Sequence, residues 1–472
     1  MDLQEFRKHA HELVDWMTNY LQSVEDYPVR SGLKPGDVIK QLPDDPPRDG
    51  ESFASIFDDF ERIIVPGITH WQHPSFFAYF PANSSYPSLL AEMLTATLGA
   101  QCMMWLTSPA ATELEQQVMD WLKGMLGLPT EFGGVIQDTA STATLCSVLT
   151  AREKVTGFSV NETGLGGGGK LTAYCSSETH SSIEKAVKIA GLGKRNLRQV
   201  AVDEAFALKP AALEEAIRRD LASGHRPCCV VATIGTTGST AIDPLRPIGE
   251  LCRRYNIWLH VDAALAGTAL VLPELRWMID GIDYVDTFVF NPHKWMFTNF
   301  DCSAYFVRDR QALVRTFEIH PEYLKTAEGE RVNNYRDWGI QLGRRFRALK
   351  LWFVIRTYGI KGIQETIRSH LQMTQGVVTR IRASQHFELL APVPLNTICF
   401  RYVPKGISDL QHINALNAEL LESLNSTGHV FVTHTKLNEI YAIRFVIGQT
   451  HVDQRHVDQA WDLIVETASG LS

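Results

Sequence analysis

Five short stretches of this sequence put groups with usable chemistry directly after apolar runs. The strongest is Thr287-Phe-Val-Phe-Asn-Pro-His-Lys-Trp, which leads to Asn291, His293, Lys294 and Trp295. A crowded strand end disfavours a charged amine, and the neutral amine is the form that condenses with a carbonyl to a Schiff base. A lone lysine in such a place is more often an exposed cap, so its meaning depends on its company.

That company is specific. Ile257-Trp-Leu-His-Val-Asp places Asp262 at the end of another apolar run, where a carboxylate can pair with a protonated ring nitrogen or simply cap a helix. Thr139-Ala-Ser-Thr lies between a Gly-rich strand and a helix, so the amides of Ala140 and Ser141 and the Ser141 hydroxyl suit an anion. The plainer reading is N-capping by Ser141 or Thr142, and the two are compatible because they use different donors. His180 precedes Ser181 and Glu184, which have capping-box spacing, so a helix start is expected to fix its backbone. Thr233-Ile-Gly-Thr-Thr-Gly puts Thr237 at a further strand end, a weak signal alone. A lysine, an aspartate, a histidine, a Ser/Thr cradle and a threonine at five strand exits together indicate a pyridoxal phosphate site.

The elements that must carry these residues follow from periodicity. From about residue 88 to 360, continuous apolar strands alternate with helices: 133–137 before a helix over 142–154, 171–175 before one over 182–190, then 229–233, 257–262 and 287–290. That pattern predicts a mostly parallel α/β sheet covered on both faces, with ligands outside the carboxyl ends of its strands. Residues 1–87 read as a helical segment: Leu3, Phe6, Ala10, Leu13, Trp16, Met17 and Tyr20 share one face, and a second helix is expected over 53–65. Residues 361–472 read as a small α+β domain with helices near 409–424 and from 454, and a strand over 440–447. Gly164-Leu-Gly-Gly-Gly-Gly does not join a strand to a helix and reads as a surface connection.

Bulk properties narrow the class. A net charge of −8 argues against a nucleic-acid surface. No apolar run reaches the roughly 18 residues of a membrane span, and the charged first residues lack a signal core. Eight scattered cysteines without a C-x-x-C pair fit reduced thiols in a cytoplasmic enzyme and no metal site.

Beyond these signals the chain resembles the group II pyridoxal-phosphate decarboxylases, and among them the aromatic-L-amino-acid decarboxylases. The likeness is carried by Pro66-Gly-Ile-Thr-His-Trp, Phe77-Ala-Tyr-Phe-Pro, Ser108-Pro-Ala-Ala-Thr-Glu-Leu-Glu, His180-Ser-Ser, Trp258-Leu-His-Val-Asp-Ala-Ala, Asn291-Pro-His-Lys-Trp, Phe300-Asp-Cys-Ser and Leu342-Gly-Arg-Arg-Phe-Arg-Ala-Leu-Lys. It implies an aminotransferase-like fold type I with a mostly parallel seven-stranded sheet, and a homodimer with active sites at the subunit interface. It implies that Lys294 anchors pyridoxal 5′-phosphate covalently, that Asp262 faces its ring nitrogen and that His180 stacks on the ring. Ala140, Ser141 and Asn291 hold the phosphate by the same likeness, with Thr237 and His293 beside the cofactor. Trp71, Tyr79, Phe80, Pro81 and Ala82 line the substrate pocket, Met103 reaches the neighbouring subunit's site, and Gly343 leaves room for a large ring.

His320-Pro-Glu-Tyr323-Leu-Lys matches the family's catalytic loop. Its tyrosine implies protonation of the α-carbon and hence amine formation, where phenylalanine accompanies oxidative aldehyde formation. Leu265, Ala82 and Met103 depart from the residues common in relatives and imply a more apolar pocket. An aldehyde synthase or transaminase would share the cofactor residues. A glutamate-type decarboxylase would want a cationic anchor in place of the Trp71/Tyr79/Phe80 wall, and a catalytically silent cofactor-binding protein would not need the whole set.

Overall fold

In the computed structural model, which describes residues 1–166, 170–319 and 331–471, the chain divides into two compact units. The larger comprises Ala82–Thr374 with Ala391–Thr397. It holds seven strands among the described residues: β1 Gly133–Gln137, β2 Leu171–Ser176, β3 Leu197–Val200, β4 Arg226–Thr233, β5 Trp258–Asp262, β6 Thr287–Phe290 and β7 Ser303–Val307. They form one sheet in the order β1-β7-β6-β5-β4-β2-β3. The expected parallel α/β sheet is present, since the β3-β2-β4-β5-β6 pairs are all parallel. Only β7 runs the other way, antiparallel to both β6 and β1. The carboxyl ends of β1, β6, β5, β4 and β2 therefore share one edge.

The strands read as apolar runs because both faces are covered. Every residue of β2, β5, β6 and β7 is buried. On one face Val135, Cys175, Val231, Val289 and Tyr305 pack with Ala143, Cys146 and Ala186 of two helices. The bounds expected for these individual strands and helices hold to within a few residues, with two local corrections. The helix after β1 spans Ala140–Val155, and its N-cap is Thr139, whose hydroxyl accepts from the Thr142 amide at 3.4 Å, not Ser141 or Thr142. The helix Ser182–Ile189 starts without a capping box: Ser181 is already helical and makes no side-chain cap bond. A long helical run, Arg347–Ala383, is interrupted at Gly359, whose φ of 62° suits glycine.

The second unit comprises Met1–Pro81, Gln375–Leu390 and Ile398–Ser472. Its strands β8 Phe387–Leu389, β9 Thr397–Tyr402, β10 Thr433–Leu437 and β11 Ile440–Val446 make a sheet ordered β10-β11-β9-β8. The helices Leu410–Ser426 and Gln454–Ser469 accompany it, each opened by an aspartate cap. The N-terminal helix Leu3–Gln22 has a capping box between Asp2 and Glu5 but buries none of its residues. Trp16 packs edge-on against Phe57 and Phe60, while Leu3, Phe6 and Val14 remain exposed. The second expected helix is Phe53–Asp59, which widens into a π turn and tightens into a 3₁₀ turn ending at Gly67.

No helix among the described residues is long and apolar enough to cross a membrane.

Candidate active site

The edge shared by five strand exits gathers the residues singled out above in the larger unit. Beyond β6 the chain turns at Asn291 into a single helical turn, Pro292–Trp295, that carries Lys294. The turn is held on three sides. Cys302 donates its amide to His293 Nδ1 at 2.9 Å, Asn83 donates to the His293 carbonyl at 3.1 Å, and Trp295 Nε1 donates to His370 Nδ1 at 2.9 Å. Burial, reinforced by the Lys294 charge, pushes the His293 imidazole down to about 3, so it stays neutral. His293 is buried and serves the backbone of Cys302, while Lys294 is half-buried.

Asp262 ends β5, buried, with register partners Val289 on β6 and Thr233 on β4. Its carboxylate accepts from the Ala264 amide at 3.0 Å, and the Ala264 carbonyl accepts from the Asn291 amide at 2.9 Å. The carboxylate and lysine exits are thus joined through one residue. Close packing behind them demands glycine: a Cβ on Gly267 would lie 2.3 Å from Cβ of Phe290. Leu265 is fully buried.

At the β4 exit, the Thr233 amide donates to the buried Asp243 carboxylate at 2.7 Å, and burial raises that carboxyl to about 6. The Thr233 hydroxyl is buried on the same face of the sheet as Asp262 and has no protein partner. Thr237 is exposed. After β2, His180 Nδ1 accepts from the Ser182 amide at 3.2 Å and faces the Ser182 hydroxyl at 2.8 Å, so the neutral ring carries its proton on Nε2. Although the ring keeps solvent contact, surrounding protein atoms lower its pKa, Lys294 adds to the effect and Asp262 opposes it. His180 therefore feels both the lysine and the carboxylate.

After β1, the amides of Ala140 and Ser141 open the helix Ala140–Val155, and first-turn amides have no partner within their own helix. Asp138 buttresses this start, accepting from the Thr139 amide at 2.6 Å and from Gln341 Nε2 at 2.8 Å. Ser303, at the start of β7, donates to Asn291 Oδ1 at 2.7 Å and to the Asp138 carbonyl at 3.2 Å.

The other expected residues come from segments outside the five strand exits. Met103 is half-buried, its carbonyl accepting from the Arg336 amide at 2.9 Å. Gly343 is exposed, and a Cβ there would meet Gln101 Nε2 at 3.2 Å. Arg344 fastens both segments: it pairs with buried Glu115 at 2.6 Å and donates to the carbonyls of Ile136 and Cys102. Ala82 is half-buried. Trp71, Tyr79, Phe80 and Pro81 belong to the second unit, where Trp71 stacks on Tyr79 at 5.8 Å and buried Arg444 lies over Phe80 at 5.4 Å. Tyr323 lies outside the described residues.

Sequence reasoning missed Ser303, Glu115, Arg344, Thr144 and His260 as supports of the edge. Ser303, Glu115, Arg344 and His260 each lie within one of the motifs that carry the family likeness, whereas Thr144 carried no signal. Among the described residues no group of three or more His, Cys, Asp or Glu side chains is placed to hold a metal, and all eight cysteines are buried thiols outside any disulfide.

The donor set suits a phosphorylated, aldehyde-bearing heterocycle. It offers an amine, a carboxylate one strand away, an imidazole with an outward N–H, helix-start amides for an anion and an unpartnered buried hydroxyl. Comparison with known proteins agrees. Residues 35–403 match the model of the pyridoxal-dependent decarboxylase conserved domain. Tyrosine decarboxylase 4 of Petroselinum crispum is 43% identical over 484 aligned positions, covering 100% of this chain and 94% of that protein. Phenylacetaldehyde synthase of Arabidopsis thaliana is 42% identical, covering 100% and 97%. The crystal structure of Oryza sativa TDC with PLP and tryptamine superposes with a TM-score of 0.97 at 36% identity, covering 100% and 99%.

Proposed function

The chain belongs to the pyridoxal-dependent decarboxylase family, and we propose that it converts aromatic L-amino acids to arylethylamines and carbon dioxide. The observation that carries this reading is the shared edge, where Lys294 and Asp262 leave neighbouring parallel strands joined through Ala264. Bound pyridoxal 5′-phosphate supplies an electron sink for the pair left on the α-carbon when carbon dioxide departs.

The chain's own groups do the rest. Lys294 would hold the cofactor covalently, and Asp262 would keep its ring nitrogen protonated. The amides of Ala140 and Ser141, with Asn291, would hold the phosphate, and Thr237 would lie beside the cofactor. His293 acts from behind, holding the lysine turn. His180, neutral with its proton on Nε2, has a donor to offer the substrate carboxylate or to relay a proton. We assign delivery of the proton at the α-carbon to Tyr323. Recognition of the aromatic ring is assigned to Trp71, Tyr79, Phe80, Pro81, Ala82, Met103 and Gly343. The working form is read as a cytoplasmic homodimer whose interface completes the active sites.

The second reading, an aromatic aldehyde synthase, is favoured by the similarity to Phenylacetaldehyde synthase of Arabidopsis thaliana. Tyr323 weighs against it. One experiment separates the two: phenylalanine, tyrosine, dopa, tryptophan and 5-hydroxytryptophan assayed together for carbon dioxide, amine, aldehyde and peroxide. Amine equal to carbon dioxide supports the decarboxylase; aldehyde with peroxide in its place overturns it.

A further inference from the structure

A fully buried histidine that none of these roles uses lies beneath Asp262. His260 is two residues earlier on β5, so its side chain points to the same face of the sheet. Its Nε2 lies 3.1 Å from the Thr144 hydroxyl, and its Nδ1 lies 2.9 Å from the Thr287 hydroxyl. Thr144 is on the helix that begins at Ala140, and Thr287 opens the strand that ends before Asn291. One ring therefore ties together the strand of the carboxylate, the strand of the lysine and the helix of the anion cradle.

The bonds are embedded in a buried polar cluster. Ser147, one turn further along the helix, lies 2.7 Å from the Thr287 hydroxyl, and Trp258 Nε1 donates to Ser147 at 3.0 Å. Thr144, Ser147, His260 and Thr287 are all fully buried. Burial pushes the His260 imidazole down to about 4, so a neutral ring donates from one nitrogen and accepts at the other.

The geometry gives the His260–Thr144 bond a specific consequence. The helix leaves the carboxyl end of β1 and runs back across the sheet, so moving from Thr144 to Ala140 climbs towards the shared edge. That climb is four residues, about 6 Å at a helical rise. From His260 to Asp262 the strand climbs two residues, about 6.6 Å. A bond at the lower level therefore sets Ala140 and Asp262 at matching heights on the edge. The two ends of a rigid ligand, its anion and its ring nitrogen, would feel that distance directly.

We propose that His260 is a positioning residue that sets the separation between the anion cradle at Ala140–Ser141 and the Asp262 carboxylate through its bond to Thr144. This rests on reading the edge as the pyridoxal 5′-phosphate site. The test uses His260→Asn, whose amide replaces Nδ1 and keeps only the Thr287 bond. Its counterpart is His260→Gln, whose amide replaces Nε2 and keeps the Thr144 bond. Thr144→Val removes the same bond from the helix side at nearly constant volume.

Apoproteins are titrated with pyridoxal 5′-phosphate by absorbance, and the urea stability of each apoprotein is measured alongside. His260→Asn and Thr144→Val should each weaken binding about tenfold, the size expected for one buried hydrogen bond. His260→Gln should stay within about threefold of the parent, and the Asn/Val double variant should be no weaker than either single one. The proposal is overturned if Asn and Val variants bind like the parent, if Gln loses as much as Asn, or if the two losses add. Failure of the parent apoprotein to bind the cofactor would instead remove the reading of the edge itself.

Discussion

The amide of Cys302 donates to Nδ1 of His293 at 2.9 Å, one residue before Lys294. This bond needs a neutral imidazole, and burial keeps the ring neutral down to about 3. In the unfolded chain the same histidine takes up a proton near its ordinary value of about 6.5. Between these two values the unfolded state binds one more proton than the folded state. The stability that His293 contributes is therefore complete above about pH 6.5 and is lost as pH falls towards 3.

His293→Asn keeps an acceptor for Cys302 but cannot titrate. Plots of unfolding free energy against pH should be shallower for this variant by about 1.4 kcal/mol per unit between pH 6 and 4. Buried Asp243 and Asp286, both raised to about 6, change stability in the opposite sense and are common to both proteins. Parallel curves for variant and parent would sink the assignment.

Lys294→Ala should abolish covalent retention of the cofactor. Borohydride reduction followed by intact-mass measurement should show one pyridoxyl adduct per chain in the parent and none in the variant. A reduced adduct in Lys294→Ala would move the anchor to another amine.

Tyr323→Phe should divert product from amine to aldehyde, with peroxide appearing in step. The ratio of the two products is the quantity to measure. A variant that still makes amine at the parent rate would show that the proton comes from elsewhere.

Glu115→Gln should be among the costlier single changes in the larger unit. Arg344 and Glu115 are both buried, and the same carboxylate oxygen accepts the Ile136 amide at 2.8 Å. Removing one charge leaves a buried guanidinium uncompensated, at a cost of roughly 3–5 kcal/mol. Urea unfolding measures it, and a loss below about 1 kcal/mol would contradict the clamp.

The sequence made β2, β4, β5 and β6 readable because each is buried almost throughout and so appears as an apolar run, whereas the half-exposed β3 shows no such run. It made Lys294, Asp262 and His180 readable because each follows such a run. The cap at Thr139 was misread for a physical reason: Thr139, Ser141 and Thr142 are all competent caps, and the end of β1 chooses among them. Strand β7 was not read from the sequence, and its direction would not have been legible, since a short buried strand looks alike in both orientations. The clamp between Glu115 and Arg344 spans 229 positions, a separation that local pattern does not encode. His260 looked like one more residue of a strand, and only its two threonine neighbours reveal its place.

The reversed strand β7 brings no exit of its own to the edge, but it brings its first residue. Ser303 sits between the ends of β1 and β6, paired with Gln137, and its single hydroxyl proton is shared between Asp138 and Asn291. With its oxygen engaged in this way, the Asn291 amide turns its NH₂ outward. A group that is by nature both donor and acceptor becomes donor-only, without adding a charge beside Lys294. The one strand that breaks the parallel pattern thus sets the polarity of its neighbour.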